Sequence, residues 1–233
     1  MPHVLRSLIF NAVFWPTIAV YMILLYPLAL RPSRAVALHV SRTLAKWLTF
    51  CLKHITKINY EIKNWNLLEE VTKQSRVIIG CNHQSSWETF IFPMLLDDLS
   101  IIIKRELSSV PIAGLYCRRL GCIPIDRASP ILAIKSLLKF GRIAIDGGNN
   151  ILIFPNGTRS SVDEETEYKS GIFALYKTLN IPVIPAGVNS GQFWPRRSFL
   201  KFPGTITLTF YEPILPGLDK DEFMAAFKDR LKN

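Results

Sequence analysis

The first 60 residues contain no aspartate and no glutamate, although Arg6, Arg31, Arg34, Arg42, Lys46, Lys53 and Lys57 lie among them. This basic, acid-free segment is rich in Leu, Ile, Phe and Trp, which suits a membrane carrying anionic lipid. Nucleic-acid arms are polar and dense in Lys or Arg, so no nucleic-acid partner is expected. Cysteine is sparse too. Cys51, Cys81, Cys117 and Cys122 show no metal-ligand spacing, and nothing suggests an oxidising compartment. They read as small buried hydrophobes, and neither a metal nor a redox cofactor is expected. Repeats and low-complexity runs are missing. What remains is a chain of 233 residues with net charge +10. It is long enough to bury a sizeable core and implies an anionic partner surface.

Residues 7–30 carry no charge, and about 20 apolar residues suffice to span a bilayer as a helix. Pro16 and Pro27 interrupt the run and Asn11 sits in its first half. Arg31 and Arg34 follow it, against Arg6 before it, which places the following domain on the cytoplasmic side. Over 35–57, Val36, Val40, Leu44, Trp47, Leu48, Cys51 and Ile55 recur at three- and four-residue steps. At about 100° per residue they form one apolar stripe, with Arg42, Lys46, Lys53 and Lys57 opposite. Such a helix can lie in a membrane interface. The alternative is a pair of buried core helices, which the all-round apolar character of the first and the basic side of the second argue against. The division read here is membrane-associating helices over 1–57 and an α/β domain over 58–233.

After residue 57 the pattern alternates. Strands are predicted near 58–62, 76–81, 99–103, 122–125, 150–154, 181–186 and 204–211. Helices are predicted near 65–73, 87–97, 111–119, 130–146, 171–179 and 219–231. This order implies a largely parallel central sheet flanked by helices. The longest irregular stretch, 155–170, holds Arg159 and the acids Asp163, Glu164, Glu165 and Glu167, which read as a solvated face.

Asn82-His83-Gln84-Ser85-Ser86-Trp87-Glu88 sits between the apolar run 77–81 and the helix that follows. Strand-to-helix turns at carboxyl ends of strands are where open α/β sheets place ligands. His83 can take a proton near neutral pH, and Glu88 can orient its ring. The missing nucleophile can be a substrate hydroxyl. Ser85 and Glu88 also fit a capping box, in which Glu88 only satisfies a backbone N–H.

Three further segments accompany this one: Gly121 to Arg127, Phe154 to Ser160, and Val183 to Val188. Together and in this order the four resemble the sequence blocks of the glycerolipid acyltransferases, and within them the bacterial lysophosphatidate acyltransferases. The resemblance covers roughly 58–212. It departs at Glu88, where the family usually has Asp, and at Asn156, where it usually has Glu. What it implies is transfer of an acyl chain from acyl-CoA or acyl-carrier protein to the hydroxyl of lysophosphatidate. His83 would be the general base and Glu88 its orienting carboxylate. It also implies membrane-dipping N-terminal helices. Arg127, Asn156, Gly157, Thr158 and Arg159 match the blocks as substrate-binding positions, and Lys104 and Arg105 match more loosely.

The residues themselves add that Arg105, Arg127 and Arg159 lie at or just beyond predicted strand ends. A parallel sheet brings such ends together, and the planar fork of Arg suits phosphate. Lys169 can add charge. Backbone N–H groups near the Asn82 and Gly157 turns are candidate oxyanion donors. Residues 187–191 read as a flexible turn, and Trp194-Pro195-Arg196-Arg197 as either a headgroup or carrier contact or a packed Trp with solvated arginines. Another lysolipid acceptor, such as a lyso-ornithine lipid, and a non-catalytic membrane-binding module are the rival readings.

Overall fold

The computed structural model describes residues 2–31, 33–160 and 167–232. Asp163, Glu164 and Glu165 of the acidic stretch lie outside the described residues. The chain begins with three helices, α1 (His3–Leu24), α2 (Tyr26–Leu30) and α3 (Arg34–Cys51). There follow β1 (Ile58–Lys63), α4 (Trp65–Gln74), β2 (Ile78–Cys81), α5 (Trp87–Leu95), β3 (Leu99–Lys104) and α6 (Ala113–Arg119). The rest comprises β4 (Ile123–Ile125), α7 (Pro130–Asp146), β5 (Asn150–Ile153), α8 (Gly171–Leu179), β6 (Val183–Val188), β7 (Gly204–Phe210) and α9 (Lys220–Lys232).

The strands form one seven-stranded sheet in the order β1-β7-β6-β2-β5-β3-β4. Every neighbouring pair is parallel except β6 and β7. The carboxyl ends of β2, β3, β4, β5 and β6 therefore share one edge of the sheet, and the turns after them meet there. Side-chain alternation assigns the two faces. Ile79, Leu152 and Ile184 point toward Phe10, Leu48, Leu68 and Phe92 on the face covered by α1, α3, α4 and α5. Ile78, Ile151 and Val183 point toward Leu137, Leu175, Phe223 and Phe227 of α7, α8 and α9. Because both faces are covered, β2 reads as a continuous apolar run.

One difference from the sequence reading concerns residues 187–191. Gly187 and Val188 are not part of a turn; they pair with Thr209 and Leu208 of β7. Ladder hydrogen bonds to an antiparallel neighbour hold them extended, and the turn begins at Asn189.

A second difference concerns α3. Leu48 and Cys51 of its stripe are buried in the core with α5 and the sheet, and Val40 packs with Tyr116 of α6 and with Leu120, so this side is not turned to a membrane. The physical reason is that α5 is apolar all round and needs cover on its outer side. Arg34 fixes the start of α3, donating to the carbonyls of Leu120 (2.6 Å), Asp97 (2.9 Å) and Leu99 (3.1 Å).

Helix α1 is long and apolar enough to cross a membrane. Pro16 does not end it. Ser7, Phe10 and Phe14, spaced along one side, are fully buried. Ser7 Oγ accepts from Lys201 N at 2.8 Å, and Asn11 Nδ2 donates to the Phe199 carbonyl at 3.0 Å. Burying a phenylalanine contributes about 1.5–3 kcal/mol, so this stripe ties α1 to the domain. The opposite side leaves Leu8, Trp15, Val20, Ile23 and Leu24 exposed.

Gly80, in the middle of β2, has space for no side chain. A Cβ there would lie 2.6 Å from Ile172 Cδ1 and 2.6 Å from Phe227 Cε2. Gly80→Ala is expected to destabilise the protein by about 1–3 kcal/mol through overpacking. Thermal unfolding checks this; a melting temperature equal to that of the unaltered protein would refute it.

Candidate active site

The site begins where β2 ends. Asn82 locks that end to β6: its Oδ1 accepts from Val188 N at 2.7 Å and its Nδ2 donates to the Val188 carbonyl at 2.9 Å. His83 follows, and its carbonyl accepts from Ser160 N at 2.9 Å, which stitches this turn to the loop after β5. The His83 ring lies on Phe154, with centroids 4.2 Å apart and an interplanar angle of 23°. The chain then turns through Gln84 and Ser85 into α5.

Glu88, in the first turn of α5, is completely buried. Its carboxylate accepts from Gln84 N at 3.0 Å, Ser85 N at 3.1 Å, Ser85 Oγ at 2.9 Å and Ser190 Oγ at 2.6 Å. Ser85 Oγ also accepts from Trp87 N at 2.9 Å. The reciprocal Ser85–Glu88 capping pair is thus present. It does not displace the other arrangement, because the carboxylate also stands 3.9 Å from His83 Nδ1. That nitrogen is buried and has no hydrogen-bond partner among the described residues. The gap is longer than a hydrogen bond, as catalytic pairs often are before substrate arrives.

Two loops bring arginines to the same place. Arg159, after β5, donates to Ser86 Oγ at 2.9 Å. Arg127, after β4, donates to the Gly157 carbonyl. Gly157 holds φ at +72°, and its N–H closes a turn onto the Phe154 carbonyl at 3.0 Å. A positive φ is cheap for glycine alone, which explains the residue at this position. Asn156 is buried beside it. Its Nδ2 donates to Ser160 Oγ at 3.0 Å, while its Oδ1 has no partner among the described residues. Thr158 is exposed.

Lys104 and Arg105 are not gathered with the others. Lys104 pairs with Glu106 at 2.8 Å and Arg105 with Asp126 at 3.2 Å, both near the surface. Of the backbone N–H groups near the Asn82 and Gly157 turns, Asn82 N donates to Ala186 O and Gly157 N to Phe154 O. Backbone pairing closes these turns and uses the donors in doing so. Gln84 and Ser190 are residues that the sequence reading did not place in the site, and Arg196 stood in a segment that it read as either a headgroup or carrier contact or a packed Trp with solvated arginines. Gln84 Oε1 accepts from Gly191 N at 3.1 Å, and Arg196 donates to the Arg159 carbonyl at 2.7 Å. A polar cluster directly after an apolar strand was the available signal for Gln84. Ser190 meets Glu88 from 102 residues away and gave none, while the aromatic and basic mixture of 194–197 was the signal for Arg196.

An apolar cavity of about 260 Å³ is lined in part by Phe154, the ring on which His83 lies. Ile102, Ile125, Ala133, Leu137 and Ile153 line it, with Arg127 and Lys169 also on its wall. Among the described residues no group of His, Cys, Asp and Glu is arranged to hold a metal ion.

Burial, and then the charges of Arg159, Arg127 and Arg196, lower the His83 pKa to about 3. Burial pushes Glu88 above its ordinary value, against the pull of its hydrogen bonds from Ser190, Gln84 and Ser85. The unfolded chain binds a proton at His83 below about pH 6.5, whereas the folded chain refuses it until about pH 3. Across that window the unfolded state holds more protons, so stability from this residue falls as pH falls. Glu88 acts with the opposite sign in either protein. His83→Gln should therefore lose less melting temperature than the unaltered protein between pH 6.5 and 4. Parallel curves for the two would contradict the assignment.

The pattern of the acyltransferase family matches residues 64–189. The 1-acyl-sn-glycerol-3-phosphate acyltransferase of Pseudomonas aeruginosa is 37% identical over 196 residues, which are 84% of this chain and 73% of that protein. A mouse relative, the 1-acyl-sn-glycerol-3-phosphate acyltransferase alpha of Mus musculus, is 30% identical over 152 residues. That match takes in 64% of this chain and 53% of the mouse protein, about half its length. The crystal structure of the 1-acyl-sn-glycerophosphate (LPA) acyltransferase from Thermotoga maritima shares the fold. Its TM-score is 0.75 at 21% identity, covering 98% of this chain and 93% of that one. The family match takes in the His83 turn, Arg127 and the Gly157 turn alike, and with the 37% identity to the Pseudomonas protein it shows that the chain belongs to the acyltransferase family.

Proposed function

We propose that this protein transfers an acyl chain from acyl-CoA or acyl-carrier protein to the free hydroxyl of lysophosphatidate, forming phosphatidate at a membrane. One observation carries the reading. An uncharged imidazole backed by a buried carboxylate stands at the end of a parallel strand, with Arg127 and Arg159 aimed at the same place. The names of the relatives agree with it.

The chemistry follows from the geometry. Glu88 favours the tautomer with its proton on Nδ1, which leaves Nε2 to accept. The acceptor hydroxyl gives its proton to Nε2 as its oxygen attacks the thioester carbonyl. The C–O bond forms, the C–S bond breaks, and the departing thiolate takes the proton back from the imidazolium. Arg127 and Arg159 hold the acceptor phosphate, which fixes the hydroxyl near the base. The acyl chain occupies the apolar cavity that Phe154 lines in part.

The outward face of α1 is an apolar patch of the kind that contacts lipid. Docked along its other side, the helix dips beside the domain, and the basic residues that follow it support a cytoplasmic face for the domain.

Purified protein in detergent, given a thioester donor and lysophosphatidate, should form phosphatidate, and His83→Ala should lose about 10²–10⁴-fold in rate. Lipid binding without transfer by the unaltered protein would instead favour a non-catalytic membrane module. For the cavity, Ala133→Trp should cut turnover of long-chain donors and spare short-chain ones. An unchanged chain-length profile would remove the acyl chain from this cavity.

A further inference from the structure

Arg196 lies beyond the segment that matches the family, yet its guanidinium reaches the site through the Arg159 carbonyl. Arg159 uses an N–H on Ser86 and Arg127 uses one on Gly157. A guanidinium has five N–H donors, so each of the three keeps several for another partner. Within ion-pair distance, no carboxylate among the described residues meets any of them. Arg42, Lys63, Arg76, Lys104 and Arg105 each have such a partner. Glu106 acts on Arg127 only from a distance. Cations gathered with no counter-ion among the described residues repel one another. An anion with several oxygens relieves that repulsion and fits the arginine forks.

We propose that Arg196 completes a three-arginine subsite for the phosphate monoester of the acceptor, and that filling this subsite switches on the base at His83. The inference rests on the lysophosphatidate reading above. The charged groups facing His83 are Glu88 from α5, Arg127 from the turn after β4, Arg159 from the loop after β5 and Arg196 from the β6–β7 connection. Burial is the larger obstacle to the imidazolium that must form when a hydroxyl proton reaches Nε2, and in the empty site the three arginines add to it. A bound phosphate cancels their field at short range. The acceptor thus brings both the hydroxyl and the charge that lets His83 take its proton. A water molecule reaching a bound thioester brings no such charge, so hydrolysis of the donor is held back.

The test separates phosphate from hydroxyl. Monoacylglycerol, which has the hydroxyl but no phosphate, is offered to the full-length protein in detergent, with whichever thioester supports lysophosphatidate turnover. Inorganic phosphite is then titrated in. Phosphite should raise kcat for monoacylglycerol by about tenfold or more and saturate, the scale of a charge-assisted hydrogen bond made only with the anion. Arg196 is exposed, so Arg196→Gln leaves the core untouched. It should raise the half-saturating phosphite concentration about tenfold and move the pH profile of kcat, and Arg196→Lys should recover part of both. Two results would overturn the proposal: a phosphite titration without effect on a protein that turns over lysophosphatidate normally, or an Arg196→Gln titration identical to that of the unaltered protein. Failure to acylate lysophosphatidate at all would remove the functional reading itself, and this inference with it.

Discussion

The buried carboxylate of Glu88 is the constraint on which the rest of the site depends. A carboxylate taken wholly out of water is costly unless its oxygens are met by donors. Here the backbone of Gln84 and Ser85 and the hydroxyls of Ser85 and Ser190 meet them. Three of these donors belong to the turn after β2 and the fourth to the β6–β7 connection. The turn after β2 is thereby held in one shape, α5 is capped, and the β6–β7 connection is drawn against both. His83 has its place because this network leaves its ring between Glu88 and Phe154.

The same connection joins the site to the N-terminal helix. Residues 190–203 carry Ser190 and Arg196 toward the site and Trp194 and Lys201 toward α1. Lys201 is buried, with its ammonium 5.6 Å from the Phe10 ring and 5.2 Å from the Trp194 ring. It donates to the carbonyls of Phe199 and Ser198, and burial lowers its pKa to about 8. A cation held by ring faces and carbonyls needs no acid beside it. That accounts for how a helix in an acid-free segment can be anchored to the domain with a buried lysine at the joint. It also makes α1, through this one loop, a mechanical neighbour of the arginines.

Much of this was legible beforehand. The alternation of apolar runs and helical stripes placed seven strands and the helices between them, because both faces of the central strands β2 and β5 are covered and these strands are short and apolar, while β7 alternates. Gly157 was legible as a tight turn because glycine reaches positive φ cheaply. The sequence reading put α3 in a membrane interface, since an apolar stripe opposite a basic one suits that place, but the same stripe also serves a protein neighbour. The choice was decided by α5, which lies forty residues further along the chain.

Sequence by itself determined the sheet, the turn that bears His83 and Glu88, and the apolar character of α1, because these rest on local periodicity and on contacts a few residues apart. Only the tertiary structure decided which charges share the site. Lys104, Arg105, Arg127 and Arg159 all stand at strand ends, yet Glu106 and Asp126 hold the first two outward while the other two turn in. Ser190 meets Glu88 across 102 residues of chain, and the same β6–β7 connection carries Arg196. Contacts at that separation are set by how the strands order themselves in the sheet, and that order leaves no periodic trace in the sequence.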